Sequence, residues 1–201
     1  DLLYLLPNYN IAPTQRILAM ANDGSSTLRS YHWGLWTYLG RDGKKPLKPF
    51  NARAETLSTS RMFKKPYLFQ RCLIYADLFY EWTGPKTNRQ PLVVRMKSKK
   101  PFAMAGLWAK LETPEGIVES ATIITTTPNK LIGKVHNRMP AILAKEYHEL
   151  WLTPGKLEPE VLDPLLTAYP AEEMEYYPVN KLVGNSPNNI VPLASQGSLG
   201  I

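Results

Sequence analysis

The sequence predicts an α+β fold in which a mainly antiparallel β sheet curls into a barrel-like core, with a few helices at its periphery. The first observation is that short β-like runs, separated by turn signals, fill the first 127 residues of the 201-residue chain. The second is that helical signals stand only in the last third, in "AKEYHELWL" and "EPEVLDPLLTAYP". Hydrophobic residues make up 44% and charged residues 20%, which is typical of a globular domain.

Three antiparallel strand pairs are predicted along the chain. The first is a hairpin around an Asn-Asp-Gly-Ser turn, in "RILAMANDGSSTLRSYHWGL". The second has a polar loop, "TGPKTNRQ", between "RCLIYADLFYEW" and "PLVVRM", and the third has "ETPE" between "FAMAGLWAKL" and "GIVESATIITT". No internal repeat, low-complexity tract or long linker divides the sequence, so residues 1–201 are expected to form one domain.

The residue types present argue against several classes of protein. Cys72 is the single cysteine and lies within an apolar run, so it is expected in the core and leaves no internal disulfide or cysteine-based zinc cluster. His148 and Glu149 begin a pattern like that of a zinc peptidase, but Leu152 takes the place of the second histidine, so no metal is expected. No glycine-rich phosphate loop is present, and no cofactor is expected. Without an apolar run long enough to span a bilayer, a cytoplasmic protein is expected.

The charge balance favours an anionic partner. The chain has 24 basic and 17 acidic residues, a net charge of +7, and the first 150 residues hold 22 of the basic but only 11 of the acidic ones. A charge of this size also keeps an ordinary domain soluble, so it does not identify the partner by itself.

A first group of polar residues stands in "PFNARAET". If this stretch is extended, Asn51, Arg53 and Glu55 lie on one face and the intervening alanines on the other, because strand side chains alternate. One face would then carry an amide, a guanidinium and a carboxylate. The alternative is that these residues form only an ion pair and a turn.

A second group stands in "RCLIYADLFYEW", whose apolar character predicts one buried strand. Glu81 lies at its end, between Tyr80 and Trp82. A carboxylate held between aromatic rings would have its charged form disfavoured, so its pKa should rise toward the range useful for acid–base chemistry. The alternative is an exposed strand end.

A third group stands in "VHNRMP". In an extended backbone His136 and Arg138 share a face, and Pro140 ends the run. This pair could transfer a proton beside a bound phosphate. A lone histidine that merely satisfies a hydrogen bond is the alternative.

These segments together resemble the SRAP family, the SOS-response-associated peptidase fold whose members shield abasic sites in single-stranded DNA. The resemblance covers nearly the whole chain in ordered blocks: "YNIAPTQ", "WGL", "NARAET", "SRMF", "RCLIYADLFYEW", "TIITT", "VHNRMPAIL" and "VGNSPNN". It implies that the partner is single-stranded DNA containing abasic sites, and that a bacterial member would be associated with the nucleoid.

The family's nucleophile is implied to be a cysteine directly after the initiator methionine, which the protein removes from itself; this self-processing explains the peptidase label. The amine and thiol of that cysteine would form a thiazolidine with the abasic sugar, giving a covalent DNA–protein crosslink, and a lyase activity could accompany it. The sequence begins at Asp1 without this cysteine, so preceding residues are expected to be missing.

The resemblance also implies roles for individual residues. Asn51 would orient the sugar or the amine, Glu81 would relay protons, and His136 would assist ring opening. The other implied DNA contacts are phosphate-binding arginines and a small polar lining residue: Arg53, Arg61, Arg138 and Thr125. Because "WTYLG" follows "WGL" here, the aromatic residue that separates bases is assigned to Trp36 or Tyr38.

Two other functions fit the same residues. One is a non-covalent module that binds single-stranded DNA and lacks the nucleophile. The other is an intracellular peptidase that uses Glu81 and His136 on other proteins.

Overall fold

The computed structural model describes residues 6–38 and 47–193. The described part is mostly β structure. Its strands are β1 (Arg16–Ala21), β2 (Leu28–Trp33), β3 (Asn51–Arg53), β4 (Arg71–Ala76), β5 (Leu78–Thr83), β6 (Gln90–Met96), β7 (Phe102–Thr113), β8 (Gly116–Thr126), β9 (Met139–Pro140), β10 (Ile142–Leu143) and β11 (Met174–Pro178). Its α-helices are short: α1 (Lys64–Phe69), α2 (His148–Trp151) and α3 (Pro159–Leu162).

The larger sheet closes on itself. Strand β7 pairs with β4, β4 with β1, β1 with β2, β2 with β8, and β8 returns to β7, so the hydrogen bonds form a ring. The expected barrel-like core is therefore confirmed as a ring of strands, although β3, β9 and β10 extend it beyond a regular barrel. Two pairings, β2 with β8 and β3 with β8, are parallel, and the other pairings of this sheet are antiparallel, in agreement with the mainly antiparallel sheet that was predicted.

The three predicted strand pairs are present. The hairpin of β1 and β2 turns at Gly24, whose φ of 81° is readily adopted only by a residue without a Cβ. The pairs β5–β6 and β7–β8 are also antiparallel. The prediction of one strand through "RCLIYADLFYEW" is wrong: the chain bends at exposed Asp77, and β4 and β5 belong to different sheets. A charged, exposed residue favours such a break, since aspartate is a poor strand former.

A three-stranded sheet, in the order β11–β6–β5, packs against one side of the ring. Its side chains Phe79, Val94 and Met174 join a core with ring residues such as Ala121 and Ile123. We call this side of the ring the sheet-facing side. Because side chains alternate along a strand, every second residue of β8 points toward the smaller sheet.

The opposite side of the ring, here called the helix-facing side, is covered by the helices. Ile124, Ala52 and the buried Trp151 belong to this second core. Arg71 is fully buried beneath α2, where its guanidinium donates to the backbone carbonyls of Trp151 at 3.0 Å and Thr153 at 2.6 Å. These bonds satisfy a buried cation without a carboxylate and hold the helical cover on the sheet.

Gly106→Ala is expected to lower the free energy of unfolding by about 2 kcal/mol or more, because the ring interior is too tight for overpacking. The new Cβ would lie 2.6 Å from Cδ1 of Ile74 and 2.9 Å from both Sγ of Cys72 and the backbone oxygen of Thr122. Gly133→Ala is the matched control, since its Cβ would meet its nearest neighbour at 3.7 Å, an ordinary contact. Denaturant unfolding measures both; equal stability of the two variants would contradict this packing.

Candidate active site

The structure brings Glu81 and His136 together at the edge of the ring. Oε1 of Glu81 lies 3.7 Å from Nδ1 of His136, and the side chains are 16% and 47% exposed. These residues are 55 positions apart in the sequence, and they meet because β5 and the loop before β9 both lie beside the sheet-facing side of the ring. A largely buried carboxyl group therefore adjoins a half-exposed imidazole.

Strand alternation decides where Glu81 points. Phe79, two residues earlier, packs into the core beneath the smaller sheet, so Glu81 lies on the same inward face. Tyr80 and Trp82 lie on the outward face, where their ring centroids are 6.3 Å apart. The prediction that these two aromatic rings enclose the carboxylate is therefore wrong, because adjacent strand residues point in opposite directions.

The predicted direction of the pKa shift of Glu81 is nevertheless confirmed. Burial raises the pKa of Glu81, since it disfavours the charged form. The nearby His136 and the backbone N–H of Trp82 oppose this rise, but burial is the larger effect. The carboxyl group thus keeps its proton to a higher pH than an ordinary glutamate does.

His136 lies in a loop rather than in the predicted extended run. The loop is anchored by Asn129, whose Oδ1 accepts from the backbone N–H groups of Leu131 at 3.0 Å and Ile132 at 2.9 Å. Ile132 is fully buried in a short 3₁₀-helix, Ile132–Lys134, that leads to His136. These contacts, which the sequence analysis did not identify, fix the loop on the core and so place the imidazole.

Arg138 does not extend beside His136 as predicted; its guanidinium forms a two-bond ion pair with Glu55. Nη1 and Nη2 of Arg138 donate to the two carboxylate oxygens at 2.6 Å and 2.9 Å. Nη2 also donates to the backbone oxygen of Thr125. Glu55 lies in a 3₁₀-helix, Ala54–Thr56, so the extended stretch ends at Arg53 and the ion pair is formed with a distant arginine instead.

Asn51 and Arg53 occupy the face that alternation predicted, with Ala52 buried between them on the helix-facing side. Asn51 pairs with Ile123 and Arg53 with Thr125 on β8. Both polar residues therefore point to the sheet-facing side, toward the side from which Glu81 approaches. Among the described contacts, none joins Asn51 directly to Glu81 or His136.

The remaining predicted DNA contacts lie in segments for which no described contact with Glu81 or His136 is found. Arg61 is exposed in the turn before α1. Trp36 contacts His32 edge to face, with ring centroids 5.4 Å apart. His32 pairs with Ser120, the residue before sheet-facing Ala121. Because strand side chains alternate, His32 and Trp36 lie on the helix-facing side of the ring. Tyr38 is exposed, and its hydroxyl accepts from the backbone N–H of Leu47 at 3.5 Å. The structure thus does not bring Trp36 together with Glu81 and His136.

A basic pocket that the sequence analysis did not identify surrounds exposed Trp82. It has a volume of about 450 Å³ and includes the cations Lys86, Arg89 and Lys181. The sequence contains a signal for this pocket, since Trp82, near the end of an amphipathic strand, precedes the basic loop "GPKTNR".

Within residues 6–38 and 47–193, no group of three or more His, Cys, Asp or Glu side chains could hold a metal ion. In that same part of the chain, no helix has the length and apolar character needed to cross a membrane.

A carboxyl group of raised pKa beside an imidazole, at the rim of a strand ring, defines a site suited to acid–base chemistry. The model of the SRAP family, described as SOS response associated peptidase, matches residues 4–186. The chain therefore belongs to the SRAP family.

The abasic site processing protein YoqW of Bacillus subtilis is 47% identical over 190 residues, covering 92% of this chain and 84% of YoqW. The abasic site processing protein HMCES of Xenopus tropicalis is 30% identical over 216 residues, covering 91% of this chain and 64% of HMCES.

Crystal structures share the fold. A protein from Bacteroides thetaiotaomicron gives a TM-score of 0.80 at 26% identity, covering 90% of this chain and 82% of that protein. A phage-related protein from Bordetella bronchiseptica gives a TM-score of 0.70 at 28% identity, covering 88% of this chain and 84% of that protein. The family resemblance and the fold class expected from the sequence are both confirmed.

Glu81→Gln is expected to raise the free energy of unfolding at about pH 8, on the order of 1 kcal/mol, because a neutral amide replaces a charge whose burial is unfavourable. The folded-state pKa of Glu81 lies above its unfolded value, so its stabilising effect is present in acid and lost as pH rises through the folded pKa. The advantage of the variant should therefore disappear near about pH 4.

Denaturant unfolding across this pH range measures the difference. Glu158→Gln is the control, because that side chain is 55% exposed, so the removal of its charge relieves no unfavourable burial. A Glu81→Gln protein that is less stable than the wild type at pH 8 would contradict the assignment of burial as the dominant effect.

Proposed function

We propose that this protein processes abasic sites in single-stranded DNA and, in its full-length form, forms a covalent crosslink with them through an N-terminal cysteine. The observation that carries the proposal is the contact of 3.7 Å between Glu81 and His136, beside a ring edge that also bears Asn51 and Arg53. The names of relatives such as YoqW and HMCES support the substrate. We further propose that the chain acts as one domain in the cytoplasm.

The chemistry requires a neutral amine at the aldehyde of the opened sugar. At pH 7 roughly 17% of an ordinary α-amine but only about 0.04% of an ordinary lysine is neutral. The amine adds to the aldehyde carbon, and the resulting carbinolamine loses water to give an imine. The thiolate then adds to the imine carbon and closes the thiazolidine ring, so a terminal cysteine supplies both nucleophiles.

Glu81 and His136 divide the proton transfers. The raised pKa of Glu81 lets its carboxyl group donate a proton to the departing hydroxyl of the carbinolamine. His136 is half exposed and donates a proton to the sugar ring oxygen as the ring opens. Asn51 orients the sugar through its amide. The same acid–base pair would assist removal of the initiator methionine, which exposes the cysteine, and a lyase activity would follow if the imine underwent elimination.

Positive charge and a polar lining hold the DNA strand. Arg53 is exposed on the sheet-facing side. Arg61 is also exposed and lies eight residues later in the sequence, just before α1. Thr125 lines the ring between Arg53 and Arg138. Each arginine that contacts a phosphate adds affinity that weakens with salt, because binding releases counterions.

The full-length gene product, incubated with an abasic oligonucleotide, is expected to give a heat-stable gel shift. Glu81→Gln and His136→Ala should slow its formation by about 100-fold, the usual contribution of a general acid or base. Glu158→Gln, at an exposed carboxylate, should react at the wild-type rate. No crosslink by the wild-type protein at neutral pH would refute the covalent proposal, and DNA binding without a crosslink would favour the non-covalent alternative.

Arg53→Ala is expected to weaken binding to an oligonucleotide without an abasic site and to lower the slope of log K against log salt by about one unit. Fluorescence anisotropy at several salt concentrations measures the slope. The control is Lys97→Ala, an exposed cation at the turn after β6. Equal slopes for Arg53→Ala and the wild type would remove Arg53 from the phosphate contacts.

A further inference from the structure

The ion pair between Glu55 and Arg138 joins two segments that are far apart in the sequence. Two parallel hydrogen bonds, of 2.6 Å and 2.9 Å, fix the guanidinium against the carboxylate. Arg138 is 19% exposed, whereas Glu55 is 48% exposed, so the arginine is the more buried partner. The hydrogen bond and charge of Arg138 lower the pKa of Glu55, so the carboxylate stays ionised at neutral pH.

The backbone of the same arginine holds the imidazole of His136. The N–H of Arg138 lies 3.2 Å from Nδ1 of His136, and the carbonyl oxygen of Arg138 lies 3.0 Å from that nitrogen. When Nδ1 is unprotonated it accepts from the N–H, and when it is protonated it donates to the carbonyl. The main chain of Arg138 therefore orients the ring in either protonation state, and Oε1 of Glu81 faces the same nitrogen at 3.7 Å.

The orientation leaves the other ring nitrogen, Nε2, for chemistry. Among the described residues, none forms a hydrogen bond with Nε2, and the side chain is 47% exposed. When Nδ1 of the neutral ring accepts from the backbone N–H of Arg138, the proton is on Nε2. A displacement of Arg138 would rotate the ring and move Nδ1 away from Glu81.

We propose that Glu55 is a positioning residue for the acid–base pair: it fixes Arg138, and Arg138 in turn fixes His136 beside Glu81. The inference rests on the proposed function. Glu55 touches neither reacting atom in this arrangement; its effect passes through the backbone of the arginine that it holds. Fixing a catalytic group within a few tenths of an ångström is worth a large factor in rate, since a misplacement of about 1 Å can cost 100-fold.

The number of free N–H donors limits how Arg138 can bind a phosphate. A guanidinium has five N–H groups. Glu55 and the carbonyl of Thr125 use three, and Nε is buried without a partner. One N–H of Nη1 is left, so Arg138 can offer a phosphate a single hydrogen bond and not a two-bond contact while this ion pair is intact.

Glu55→Gln tests the proposal in the full-length protein, because the amide keeps the size of the side chain but loses the charge and one acceptor. Crosslinking at saturating abasic DNA is expected to slow by about tenfold or more. The affinity for an oligonucleotide that carries an unreactive tetrahydrofuran site should change by less than about threefold, since Glu55 is not a DNA contact. Long-range ¹H–¹⁵N NMR spectra should show altered ring nitrogens of His136.

Glu175→Gln is the matched control. Glu175 also accepts from an arginine, Arg95, at 2.8 Å and is 38% exposed, but it lies on β11 and holds no residue of the site. This variant should crosslink at the wild-type rate. Arg138→Lys should also slow the reaction, and adding Glu55→Gln to it should slow it little further, because both changes break one interaction.

A wild-type crosslinking rate with unshifted His136 nitrogens in Glu55→Gln would overturn the positioning role. Equal losses of rate and of affinity for the unreactive site would also overturn it, in favour of a DNA contact. If the wild-type protein forms no crosslink, the proposed function fails, but the NMR comparison of Glu55→Gln with Glu175→Gln still decides whether Glu55 orients His136.

Discussion

Strand β8 is hydrogen-bonded along both edges, and the site depends on this constraint. One edge carries β7 and then β9, and the other carries β2 and then β3. At the C-terminal end of β8, Thr125 therefore faces Arg53 on one side and Pro140 on the other. The segment from His136 to Arg138 leads directly into β9, so its position follows from the pairing of a single strand. A change of register in β8 would turn its site-facing residues to the opposite side.

The smaller sheet supplies the other half of the site at a cost in stability. Packing of Phe79 and its neighbours carries Glu81 inward, where its carboxyl group is largely buried. Burial disfavours the carboxylate, and the single nearby imidazole offsets this only in part. A neutral residue would suit folding better at this position. Active sites commonly combine burial with a charged partner, so this cost in stability supports the proton-transfer role proposed for Glu81.

Local patterns in the sequence predicted much of the fold and part of the site. Alternation correctly separated Asn51 and Arg53 from Ala52, and turn residues located the three antiparallel pairs. Periodicity could not show the change of sheet at Asp77, since both halves of that run are apolar. It also could not pair Glu55 with Arg138 across 83 positions, because the pairing depends on β3 and the loop before β9 meeting on β8. Local patterns and the family resemblance both made Glu81 and His136 candidates, whereas their contact required the structure.

Contact between Glu81 and His136 brings the two acid–base groups together, and the pKa of the Glu81 carboxyl group reports on this contact. It can be measured by ¹³C NMR titration of the wild type and of His136→Gln. The pKa of Glu81 should lie above that of an ordinary glutamate in the wild type and should be higher still in the variant, because the imidazolium favours the carboxylate. An ordinary pKa for Glu81 that the loss of His136 leaves unchanged would show that Glu81 is not buried beside His136.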